Sequence, residues 1–261
     1  LLAGMLAALV HAQLDFWHTG QPETFGGMLS MVALVVAARQ DAGPKQWLAA
    51  GVLFGCAGLL KPPLAGCGAV FAIWVAIRLA RGYPSLAAGW RSALRPIVYV
   101  LVGGVAPFAL CLGWFAAKGA LGALYQTLFV FTPHYTRISW HDRTFLGMLY
   151  QALTQWFSSY CSLVTVGLCL GLATWRVSWA REGVGLLLGL VSIQLVGVAL
   201  QGKFFPYHYA GLWPMTAMLA ALGWWYVWRL ASERGGKAIA GLALLFVMTG
   251  SLRSAAKDVP D

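Results

Sequence analysis

The sequence predicts an all-α bundle of membrane helices, and three observations carry that prediction. The chain of 261 residues is 60% apolar and only 10% charged, with a mean hydropathy of +0.72; a soluble domain is about 45–50% apolar and about 25% charged. The surplus exceeds what one aqueous core of this size can bury, so apolar side chains must face lipid. The apolar residues fall in long runs, and the 13 Trp and nine Tyr suit a bilayer interface. The formal net charge of +10 then reads as basic residues collected in cytoplasmic loops, with no nucleic-acid partner.

A spanning helix needs roughly 20 apolar residues. Nine apolar segments are expected, at about 1–14, 24–38, 47–60, 64–77, 96–117, 147–175, 183–200, 210–228 and 238–250. The first opens at Leu1 with no basic n-region, so it reads as the interior of a membrane helix of a longer protein and not as a signal peptide. The end at Asp261 reads as a cut, and residues 1–261 as a single transmembrane domain. The third and fourth segments meet at Lys61-Pro62-Pro63. Proline lacks a backbone donor and disfavours helix in the residue before it, so a tight re-entry or shallow hairpin is expected there. Small residues at helix-packing spacing, Gly51/Gly55, Gly167/Gly171 and Gly185/Gly189, predict close helix approach. The five Cys form no CxxC pair and read as small buried hydrophobes.

Orientation follows from the connecting loops. One alternating set carries eleven Lys and Arg, including Arg39, Arg78, Arg81 and Arg181; the other carries seven, including Lys61, Lys118 and Lys203. The first set should face the cytoplasm. His18, His134, His141 and His208 all fall in the opposite, outer loops, with Asp15, Glu23 and Asp142. A one-sided supply of imidazole, carboxylate, lysine and aromatic groups points to a site on the outer face.

Four segments supply candidates. In DFWHTGQPETFGG, Pro22 suits the first turn of a helix and Glu23 sits where the helix dipole stabilises a carboxylate. Asp15, His18 and Glu23 could bind a sugar hydroxyl or a divalent cation; a capping carboxylate beside a solvated loop explains them equally well. Lys61 lies between two apolar helices, where it either holds a lipid-linked phosphate or snorkels to the headgroups. The outer segment from Lys118 to about Leu146 begins as an apolar interfacial helix and continues as a polar loop with His134, Tyr135, Arg137, His141 and Arg143. There Arg can fork onto phosphate and aromatic rings can stack on sugars. The last loop, QGKFFPYHYAGLWP, carries Lys203, Tyr207 and His208. No Walker loop, HExxH or nucleophile elbow occurs, and Lys61 is the one charge within reach of membrane depth, which weighs against a proton-coupled transporter.

Three of these segments, in order, resemble the membrane glycosyltransferases that use lipid-phosphate sugars, the protein mannosyltransferase and aminoarabinose transferase branch of the GT-C fold. They are QPETFGGMLSMVALVVAAR, WLAAGVLFGCAGLLKPPLAG and GKFFPYHYAGLWPMTAMLAALG. The resemblance implies an inverting transfer from a polyprenyl-phosphate sugar to a lipid, glycan or protein acceptor at the periplasmic face of the inner membrane. It also implies that Glu23 lies near donor or acceptor, that Lys61 lies near the lipid phosphate, and that Lys203 and Tyr207 border the donor pocket. His208 has no counterpart. The family's catalytic carboxylate belongs to a loop that would precede Leu1, so Asp15 and Glu23 are supporting candidates and the general base is expected outside these residues. No cofactor is implied, apart from room for a divalent cation. The rival readings are another envelope glycan polymerase or ligase, and a multi-pass transporter. Lys61→Ala and Lys203→Ala are expected to lower transfer without unfolding the protein.

Overall fold

A computed structural model describes residues 1–13, 20–140, 143–175 and 181–233, with Gly236 and Gly241. Among the described residues the chain is helical throughout and has no strand. The helices are α1 (Leu2–Gln13), α2 (Pro22–Ala37), α3 (Pro44–Leu60), α4 (Gly66–Ala80), α5 (Leu86–Ala117), α6 (Leu121–Tyr125), α7 (Thr132–Trp140), α8 (Phe145–Ser158), α9 (Ser162–Ala173), α10 (Arg181–Gln201) and α11 (Trp213–Glu233). Two single-turn 3₁₀ helices, Pro62–Ala65 and Pro206–Tyr209, precede α4 and α11, and a π-helical turn, Gln126–Phe131, joins α6 to α7.

The helix boundaries follow from local chemistry. Pro22 and Pro44 occupy the first turns of α2 and α3, where a missing N–H costs nothing. The Gly43 N–H donates to Gln46 Oε1 at 3.1 Å and so caps α3. Ahead of Pro62, Lys61 leaves the helix for extended backbone (φ −153, ψ 114) and stops α3. Gly202, at φ 63, ends α10 in the left-handed conformation that a side chain would strain. Thr144 Oγ1 accepts from the Gly147 N–H at 3.2 Å and starts α8.

Three helical stretches are long and apolar enough to cross a membrane: Pro62–Ala80, Gly89–Ala117 and Arg181–Gln201. A fourth results if α8 and α9, bent by 117° at Tyr160, count as one. This corrects the expected nine spans. The segments at 1–14 and 24–38 form helices of 12 and 16 residues, shorter than a span. The segment 147–175 is broken in two, and 238–250 lies outside the described residues apart from Gly241. The Lys61 turn reverses the chain, in keeping with the expected tight re-entry or hairpin. Phe54 packs on Phe71 (ring centroids 5.7 Å apart), and a Cβ on Gly68 would touch Phe54, so α3 and α4 run back along each other. The expected polar loop after Phe131 is helix as well. Pro133 cannot donate to a carbonyl one turn back, and the π turn absorbs the defect. The Thr132 N–H and Oγ1 both donate to the Thr127 carbonyl, the hydroxyl at 2.7 Å.

Close packing uses two of the three glycine pairs in full and Gly189 of the third, where a Cβ would lie 2.8 Å from the Val70 side chain. A Cβ on Gly51 or Gly55 would strike the α5 backbone at Val100 and Gly104, and one on Gly171 would strike the Leu219 carbonyl of α11. Gly185 faces open space. The architecture is compatible with a helical membrane bundle. Between α3, α4 and α5 lies a cavity of about 370 Å³ lined by apolar residues, including Phe54, Ala65, Ala72, Val100 and Phe108.

The bundle has two chemically different ends. At one end Arg78 donates to the Ala38 and Arg39 carbonyls, both at 3.1 Å, and Arg81 pairs with Glu182 at 3.2 Å. The start of α2, the Lys61 break, the end of α10 and the 206–209 turn meet at the other.

Candidate anion-binding site

Glu23 is the second residue of α2 and is 4% exposed. A carboxylate this buried requires a partner, and Lys61, at the break between α3 and α4, ion-pairs with it across 38 positions of sequence. Glycines make the approach close enough. A Cβ on Gly27 would lie 2.9 Å from the Gly211 Cα, and one on Gly26 would run into Leu64. The first turn of α2 is thus seated directly on the turn before α11 and on the 3₁₀ turn after Lys61.

His208 enters from that same turn before α11. Its Nε2 stands 4.0 Å from Glu23 Oε1, while Nδ1 lies 2.6 Å from the Lys203 carbonyl. A carbonyl only accepts, so Nδ1 carries the hydrogen and Nε2 presents its lone pair toward the carboxylate. Burial, and after it the Lys61 charge, lowers the imidazole to about 4, partly offset by the bond to the Lys203 carbonyl. His208 is therefore neutral near pH 7. Burial, then the charge of Lys203, also lowers the Lys61 ammonium to about 8.

Lys203 adds the second cation. Its Nζ lies 2.9 Å from the centroid of the Tyr135 ring, a cation–π contact with a neutral partner. Phe205 and Tyr207 stack with centroids 5.6 Å apart and an interplanar angle of 7°, and Tyr207 meets His208 edge-on at 4.4 Å. Burial raises the Tyr207 phenol, and the neighbouring Tyr135 does so to a lesser degree. Trp140 Nε1 donates to the Leu200 carbonyl at 3.1 Å and ties α7 to the end of α10. Glu23, Lys61, Lys203, His208, Tyr135 and Tyr207 thus form one cluster of buried and half-buried polar groups bordered by partly exposed rings.

Comparison with protein-family models, with curated proteins and with solved structures found no match to this chain. Its chemistry is therefore read from the residues themselves. Other candidates lie away from the cluster. His134, exposed on α7, lines a shallow surface recess with Gln126, Val130 and Phe131. Arg137 is exposed on the same helix, and Arg143 donates to Gln151 Oε1 at 2.8 Å. Asp15, His18 and His141 lie outside the described residues. The described residues hold no group of three or more His, Cys, Asp or Glu suited to a metal ion.

Sequence reading missed the supports. Gln194, buried within α10, donates to Cys67 Sγ at 3.4 Å and Met215 Sδ at 3.1 Å, and a Cβ on Gly211 would run into its side-chain oxygen. Its signal was a lone amide in the apolar run LLLGLVSIQLVGVAL. Gly26, Gly27 and Gly211 were signalled by small residues placed three or four positions from each charged or imidazole group.

Proposed function

We propose that the chain belongs to a multi-pass inner-membrane glycosyltransferase of the GT-C type. In this reading it moves a sugar from a polyprenyl-phosphate donor to an acceptor on the periplasmic face. The observation that carries this reading is the convergence of Lys61, Lys203, Glu23 and His208 from three separate stretches of sequence onto one end of the bundle. Two lysines beside one carboxylate form an anion site, and the rings of Tyr135, Tyr207 and Phe205 offer stacking faces for a sugar. The apolar cavity reaches Ala65, four residues beyond Lys61, and suits a hydrocarbon chain whose phosphate rests on the lysines.

In the proposed reaction the acceptor hydroxyl oxygen attacks the anomeric carbon, and the bond from that carbon to the phosphate oxygen breaks with its electrons staying on the phosphate. Lys61 and Lys203 stabilise that developing charge, and Glu23 holds the Lys61 ammonium in position. The hydroxyl proton passes to a general base. The test is transfer from a purified, radiolabelled polyprenyl-phosphate sugar, run beside a polyprenyl-diphosphate glycan. Product from the first donor alone supports the reading; product from the second alone assigns a polymerase or ligase.

The bend between α8 and α9 supports a transporter as the second reading. Trp156 Nε1 donates there to Thr216 Oγ1 at 3.0 Å, and Tyr209 to Gln155 Oε1 at 3.3 Å, a polar patch inside the bundle. Counterflow of labelled lipid-phosphate sugar in proteoliposomes, without chemical transfer, would favour it.

A further inference from the structure

We propose that Glu23 is a charge selector: fixed beside Lys61, it leaves the two-lysine cluster room for one anionic charge, so the site accepts a phosphodiester and turns away a diphosphate. This inference rests on reading the cluster as a phosphate site.

The geometry fixes the carboxylate. Glu23 sits in the first turn of α2, and that turn is wedged by Gly26 against Leu64 and by Gly27 against Gly211. Its side chain is only 5% exposed. Its neighbours are the Lys61 ammonium and the His208 ring. An arriving anion therefore meets a carboxylate that stays. Among the described residues the cluster holds two ammonium groups and one carboxylate, and the lowered His208 adds no charge near pH 7. Lys203, whose partner is the neutral Tyr135 ring, supplies the one uncompensated charge. Arg143 is occupied by Gln151, and Arg137 is exposed to screening.

One negative charge balances this cluster. A second would stand close to the Glu23 carboxylate in surroundings too dry to screen it, and like charges at that range repel strongly. Discrimination then comes from an unfavourable contact with the wrong ligand.

The test is the affinity of the purified protein for two probes of equal prenyl length, a prenyl-phosphate sugar and a prenyl diphosphate, titrated in detergent at fixed ionic strength. The wild type should prefer the diester by about tenfold or more, as expected for one unscreened like-charge contact. Glu23→Gln should bring the two affinities to within about threefold, chiefly by tightening the diphosphate, and Glu23→Asp should retain the preference. An unchanged ratio in a folded Glu23→Gln protein, or a wild type that binds the diphosphate as tightly as the diester, overturns the selector role. If Glu23→Gln does not fold, the wild-type ratio alone decides. Failure of the wild type to bind either probe overturns the phosphate reading itself, and the selector with it.

Discussion

The two ends of this bundle carry ion pairs of opposite character. At the basic end, Arg39–Asp41 and Arg81–Glu182 are formed by side chains 50–71% exposed. At the other end, the Lys61–Glu23 pair has side chains only 18% and 5% exposed. Exposed pairs gain little because water already solvates and screens both charges. A buried pair is costly to assemble and costlier to break, and hydrophobic residues would serve stability as well or better. The basic end is thus ordinary solvation of helix termini. The Glu23 end keeps charge where stability alone does not call for it, which supports placing the proposed site there.

Breaking the buried pair should have the largest effect. Lys61→Ala strands the Glu23 carboxylate and should destabilise the protein by about 3–5 kcal/mol, read as a melting shift in detergent. Pairing Lys61→Met with Glu23→Leu should recover most of that loss. This revises the expectation drawn from sequence, that Lys61→Ala leaves the fold intact, since the ion pair was not visible there.

Next comes the pH dependence of His208, whose folded value of about 4 lies below its ordinary 6.5. Between these values the unfolded chain binds a proton that the folded chain refuses. Stability is therefore full above about pH 6.5 and declines as the pH falls toward 4, by roughly 3 kcal/mol. His208→Asn should flatten that slope in pH-dependent melts. A smaller loss, about 1–3 kcal/mol, is expected for Gly27→Val, which forces α2 off Gly211; loss of anion binding should accompany it. At the basic end Arg81→Ala should cost about 0–1 kcal/mol, and less in high salt. A large loss there would erase the contrast.

Part of this was legible. Pro22-Glu23 announced a helix start with an acidic first turn, and Lys61-Pro62-Pro63 announced the break. Lys203, Tyr207 and His208 stood out as polar groups not needed for anchoring. Their convergence was not legible, because Glu23 and Lys61 are separated by 38 positions and meet only through glycine contacts that hydropathy does not register. Nor was the 117° bend at Tyr160, since the residues around it include no Pro or Gly. The helix over Thr132–Trp140 was obscured because Pro133 and a run of polar residues read as loop, while the π turn accommodates them. Counting apolar runs overstated the spans, because a run records composition and not the length of unbroken helix.

Lys203 gives the cleanest test of the central claim, since it forms no ion pair among the described residues and its removal leaves no buried charge stranded. The affinity of Lys203→Met for a polyprenyl-phosphate sugar should fall about tenfold or more, as for a lost charge-assisted phosphate contact, with a melting temperature close to wild type. Wild-type affinity in that variant would contradict an anion site at this end of the bundle.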